Sequence, residues 1–277
     1  MPFDRYNSEV IGRLHRYQQN GLGNIIELAE ISEGSERVPM VGFEGRGEAR
    51  TLITARHHSP DFYCTDAAIY RMIEKGAEGF IAVPVVDVRS YDAAQDTKDR
   101  WLSRHPDLAA AFLWDVFTDR GLPAWSGVPI RDWDHWDYMV DEGPAETKGV
   151  KSVMDGHPIS LVMDLHGSRG EYIFVTSSGG KGYPWTQKKM LESLRENGQV
   201  VDEGAANHFL RPMDTPGFYE LSHGTDICTY SAALGIENYG VCMPFFSSAG
   251  GDVSFRDRRR LLRANAALLS AAVGSNL

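Results

Sequence analysis

The chain has 277 residues, 42% of them hydrophobic and 24% charged, and a formal net charge of −10. That length and balance allow a full core and exclude a disordered chain. The acidic excess argues against a nucleic-acid backbone or an anionic membrane as partner, since both reward basic patches. No apolar run is long enough to span a bilayer, and residues 1–20 are polar and mixed, so a cytoplasmic location is expected.

In chain order, apolar positions at Tyr6, Val10, Ile11, Leu14 and Tyr17 predict an amphipathic helix over 5–19, ended by a turn at Asn20–Gly23. Strands are expected at Ile25–Ile31 and Val38–Phe43, with Ser32–Glu36 as their hairpin. The apolar run Thr51–Ala55 reads as a buried strand, Thr65–Lys75 as a helix, and Phe80–Val86 as a strand covered on both faces. Residues 88–146 are less regular. Leu108–Val116 reads as helix, and the Trp-rich piece Trp125–Tyr138 as an ordered, functional loop.

Further strands are expected at Ser160–Leu165, at Tyr172–Val175 beside it, and at Asn238–Phe245. Trp185–Glu196 predicts a helix closed by Asn197-Gly198, and Ser254-x-x-Asp257 resembles a capping box opening a terminal helix, Arg256–Ala272. Strands and helices mixed in this order predict one α/β domain over 1–277, with a mixed, mostly parallel central sheet flanked by helices.

Two strand ends carry the chemistry. The first runs Ala55-Arg56-His57-His58-Ser59-Pro60-Asp61 and the second Met163-Asp164-Leu165-His166-Gly167. A strand stopping in a His-x-x-Asp turn delivers an imidazole and a carboxylate to one point at a sheet edge. His58, Asp61 and His166 would then supply three ligands and leave a fourth position open, as hydrolytic zinc requires. Asp164, two residues before His166, faces the same way and can steer its ring. Three cysteines without Cys-x-x-Cys spacing argue against a disulfide framework or a zinc ribbon.

These motifs resemble the zinc carboxypeptidase family, including its cytosolic members and the related succinylglutamate desuccinylase and aspartoacylase-like branches, whose fold is phosphorylase/hydrolase-like. The likeness runs from Leu28-Ala29-Glu30-Ile31-Ser32-Glu33-Gly34 through the first histidine motif. It continues through Val83-Pro84-Val85-Val86, where the family's following turn is here Asp87-Val88-Arg89-Ser90. Then come Gly127-Val128-Pro129-Ile130-Arg131-Asp132-Trp133, Pro144-Ala145-Glu146-Thr147 and the Asp-Leu-His-Gly motif. Phe218-Tyr219-Glu220-Leu221-Ser222-His223-Gly224-Thr225 is similar to the loop that carries the family's mobile tyrosine.

The resemblance implies zinc on His58, Asp61 and His166, and Arg131 gripping a substrate carboxylate through a planar bidentate contact. It also implies Arg120 at the oxyanion, with Arg100 or Arg104 as substitutes. Tyr219 would close over bound substrate, and His223 in the same loop would contact it. The implied partner is a small molecule or peptide with a free carboxylate. Three positions depart from the pattern: Asp61 stands for Glu, Ile130 for Asn, and Cys242 for the general-base glutamate.

Four readings of Cys242 follow: an inert thiol with His223, Glu171, Glu220 or Glu237 moving the proton, an activated thiolate, a fourth ligand, or a lost activity. The function expected is a zinc-dependent hydrolase of an amide beside a free carboxylate. The alternatives are an N-acyl amino acid deacylase of the same fold and a non-catalytic zinc-binding protein.

Overall fold

The computed structural model describes residues 3–57, 65–104, 137–168, 173–198, 210–221, 224, 226–244 and 266–273. The expected helix over 108–116, the Trp-rich piece before Asp137 and the capping box at Ser254 lie outside them. So do His58, Asp61, Arg120, Arg131, Glu171 and His223.

A π-helical turn, Tyr6–Ile11, runs straight into α1, Gly12–Gln19. Its buried face carries Tyr6, Val10, Leu14 and Tyr17, the positions the periodicity picks out. Next comes a hairpin of β1, Gly23–Glu33, and β2, Glu36–Ala55, turned at Gly34 with φ +61°. The remaining strands are β3 (Glu78–Val83), β4 (Leu161–Ser168), β5 (Phe174–Ser178), β6 (Leu210–Pro212), β7 (Phe218–Leu221) and β8 (Glu237–Pro244).

Among the described residues these form an eight-stranded mixed sheet in the order β1-β2-β4-β8-β5-β7-β6, with β3 also pairing β2. The β2, β4 and β8 strands run parallel, so their carboxyl ends gather at one edge. In open α/β sheets that edge is where ligands bind.

The helices after α1 are α2 (Thr65–Glu74), α3 (Val88–Arg104), α4 (Ala145–Gly156), α5 (Pro184–Glu196), α6 (Ile227–Ala233) and α7 over 266–273. The first group is tied together by Tyr17 against Tyr70 and by Asp92 accepting from the Arg5 and Tyr6 backbone. α4 and α6 are joined by Lys151 over the Tyr230 ring at 4.7 Å. No helix among the described residues is long and apolar enough to cross a membrane.

Four expectations need correction. The separate strands 38–43 and 51–55 are one strand, β2. Its polar middle lies at an exposed margin, where Glu48 pairs with Arg50 and Arg46 with Glu78. The turn and irregular stretch after Asp87 are instead α3, which buries Val88, Tyr91 and Ala94 and spends Asp92, Asp96 and Asp99 on Arg5. Its polar outer face hid its period. β5 is not beside β4, because β8 inserts between them. Phe218–Leu221 is a strand rather than a loop.

The Gly45 position on β2 tolerates no side chain. A Cβ there would stand 2.5 Å from Cε1 of Phe80, a fully buried ring. Gly45→Ala is expected to destabilise the fold by about 1–3 kcal/mol through overpacking. A lowered urea midpoint with an unchanged slope would show it.

Candidate metal centre

The parallel register sets the site. One row across the sheet pairs Thr54 with Asp164, Asp164 with Gly240, Gly240 with Thr176, and Thr176 with Tyr219. The next functional row pairs His166 with Cys242 and Cys242 with Phe174. Paired residues share a face, and so do residues two apart on one strand. Asp164, His166 and Cys242 therefore stand on one face, with His166 and Cys242 on neighbouring strands.

The β2 strand ends with a change of direction. Arg56 takes a left-handed backbone, φ 56°, rare for a residue with a side chain. Its carbonyl accepts from the Asp87 amide at 2.9 Å, and its buried guanidinium lies 4.5 Å over the Tyr91 ring and 3.6 Å from Asp66. This break in the alternation turns His57 toward Asp164.

Asp164 is the hub. Its Oδ1 accepts from the Thr54 hydroxyl at 2.7 Å and lies 3.0 Å from His57 Nδ1. The second contact is at ion-pair distance but poorly aligned as a hydrogen bond. Its Oδ2 is 2.7 Å from His166 Nε2. Burial alone would raise this carboxyl, but the two imidazoles outweigh it and hold it well below the usual carboxylate range. An ionised carboxylate only accepts, so the nitrogen of His166 facing it carries the proton. In neutral His166 the lone pair then sits on Nδ1, the nitrogen left to bind a metal.

The two imidazoles differ in access. The side chain of His57 is 3% exposed and its Nε2 lies 2.7 Å from the Tyr138 hydroxyl, whereas that of His166 is 18% exposed. Their rings are 6.0 Å apart. Burial, and after it the Asp164 charge, pushes the Tyr138 hydroxyl up. Burial likewise pushes up the Cys228 thiol, helped by Asp226, Asp164 and Cys242. Gly240 has no side chain because a Cβ there would run into Thr176 Oγ1, while the Cys228 sulfur would be at ordinary contact distance, 3.9 Å.

Of the expected site residues within the described ones, His166 and Cys242 are brought together. Tyr219 stands on the same face two strands from Cys242, against the Phe174 ring that is paired with Cys242. It is buried on β7, edge-on to Phe174, three strands from Asp164, or roughly 14 Å at ordinary strand spacing. A tyrosine held in a strand differs from the mobile loop that the resemblance implies.

Glu220, paired with Ser177, faces the other side of the sheet from Tyr219. Glu237 opens β8 five residues before Cys242, where it accepts from the Tyr239 hydroxyl at 2.8 Å. Neither can move a proton at His166. Arg100 and Arg104 lie on α3.

Sequence reading missed Tyr138, which no motif marks, and His57, which reads as a polar neighbour of His58. The His-His doublet was the available signal. In a strand, adjacent side chains face opposite sides, so a doublet at a strand end suggests two different partners.

Of the expected zinc ligands, His166 lies among the described residues. Among the described residues no three His, Cys, Asp or Glu are grouped to hold a metal ion. They do contain one imidazole, at a parallel strand end, fixed by a buried carboxylate. The sequence supplies His58 and Asp61 directly after the neighbouring strand end.

No family model matches the chain, and no curated protein matches it significantly. Solved structures do. A metallo-carboxypeptidase from Burkholderia cenocepacia is 16% identical with a TM-score of 0.58, over 95% of this chain and 67% of that one. A metallo-carboxypeptidase from Pseudomonas aeruginosa, in complex with (2-guanidinoethylmercapto)succinic acid, is 16% identical with a TM-score of 0.58, over 96% and 68%. At these identities the likeness is one of fold: the chain has a carboxypeptidase-like α/β fold.

Proposed function

We propose that the chain is a zinc-dependent hydrolase that cleaves an amide or peptide bond beside a free carboxylate, on a small or specialised substrate. The observation that carries this reading is the Asp164–His166 pair at the carboxyl end of β4, with Cys242 beside it. A buried carboxylate that fixes an imidazole tautomer is the usual partner of a metal-binding histidine. The carboxypeptidase-like fold supports the same reading. So does the succinic-acid compound held by the Pseudomonas aeruginosa protein, which favours a carboxylate-bearing substrate.

His58, Asp61 and His166 would hold zinc, which supplies a Lewis acid and an activated water. Arg131 binds the substrate carboxylate, Arg120 stabilises charge developing on the carbonyl oxygen, and His223 contacts the substrate. Cys242, paired with His166 across β4 and β8, would exchange a proton with the reacting centre.

The test is a panel of dipeptides and N-acyl amino acids, each offered with its carboxylate free and blocked as an amide. Turnover confined to free carboxylates, lost to a chelator and restored by zinc, is the expected result. Which members of the panel react separates a carboxypeptidase from a deacylase. Zinc binding with no turnover on any member would leave a non-catalytic zinc protein and reject the proposal.

A further inference from the structure

The doublet His57-His58 places two imidazoles side by side in sequence, and the structure sets the first of them between a hydrogen-bonded hydroxyl and a carboxylate at ion-pair distance. His57 Nε2 is 2.7 Å from the Tyr138 hydroxyl, and Nδ1 is 3.0 Å from Asp164 Oδ1. The carboxylate can only accept, so it favours the proton of neutral His57 on Nδ1, and in that tautomer Tyr138 donates its O–H to Nε2. A tyrosine, a histidine and an aspartate in line have the shape of a nucleophile relay. Tyr138 is 1% exposed, however, so no substrate can reach it. The chain of contacts instead runs inward and out again, from Tyr138 through His57 and Asp164 to His166.

We propose that His57 is a positioning residue: anchored by Tyr138, it holds Asp164 at the angle that keeps the proton of His166 on Nε2 and its Nδ1 lone pair directed at the metal. The inference rests on the zinc reading above and extends it to a division of labour, with His57 orienting while His58 ligates. Thr54 supplies the other fixed contact to Asp164, at 2.7 Å. Orientation of this kind is worth about 10–100-fold in metal affinity.

Asparagine and glutamine separate the two ring nitrogens. The amide of Asn replaces Nδ1 and reaches Asp164, whereas that of Gln replaces Nε2 and reaches only Tyr138. Zinc affinity is measured on the full chain by competition with a chromophoric chelator, and folding by circular dichroism. Imidazole nitrogen shifts of His166 are read in metal-free protein.

His57→Gln is expected to weaken zinc by about 10–100-fold and His57→Asn by about threefold or less. His166 should change from the Nε2–H form to a tautomer mixture only in the Gln variant. Equal affinities in wild type and both variants, with His166 unchanged, would overturn the inference and leave the zinc reading standing. A wild type that binds no zinc but shows the tautomer change in the Gln variant would do the reverse. Should both variants unfold, Tyr138→Phe decides: a loss of affinity supports the relay, and an unchanged value overturns it.

Discussion

Asp164→Ala is expected to cost about 3–5 kcal/mol of stability and to remove tight zinc binding. The carboxylate is 1% exposed and accepts from Thr54 and His166, with His57 at ion-pair distance. Removing it leaves those donors without an acceptor in a closed site, and each buried orphan costs about 1–3 kcal/mol. Water entering the vacated space recovers part of that, which sets the lower range.

Asp164→Asn should lose less. Its amide oxygen still accepts, but its NH2 meets a ring N–H and forces one imidazole into the other tautomer. Equilibrium urea denaturation of the metal-free proteins gives the ranking wild type, Asn, Ala. A loss below about 1 kcal/mol for Ala would show that Asp164 is not the hub.

The second large effect concerns Cys242. It lies in register with His166 on the adjacent strand, and in the proposed function it carries the proton. Cys242→Ser should lower kcat by about 10²–10⁴-fold, the usual contribution of a positioned acid–base group, while zinc content stays unchanged. Cys242→Glu should hydrolyse the same substrates, because a carboxylate can make the same transfer. If Cys242→Ser keeps full turnover, the thiol is inert and another group moves the proton. A drop in zinc content in the Ser variant would make the sulfur a ligand instead.

Much of the fold was legible because its strands are short apolar runs and its helices carry apolar faces at the helical period. The helix α1, the hairpin β1–β2 and the strand β4 all follow from such patterns. α3 was not legible, because acids that pair with Arg5 occupy much of its surface and dilute the apolar signal. The insertion of β8 between β4 and β5 is a matter of long-range pairing, which local pattern does not encode.

At the site, the Asp-x-His spacing foretold that Asp164 and His166 share a face, and the structure has them in contact at 2.7 Å. The burial of Tyr219 was hidden because a strand of four residues reads like a loop. The partnership of His57 with Tyr138 spans 81 residues and left no trace in either local sequence.

The account depends on a divalent cation held by His166 together with His58 and Asp61. Elemental analysis of the purified full chain, beside its His166→Ala variant, tests that most directly. One zinc per wild-type chain and none in the variant, with both folded, is the predicted result. A folded wild type without stoichiometric metal, or a variant that retains it, would contradict the account.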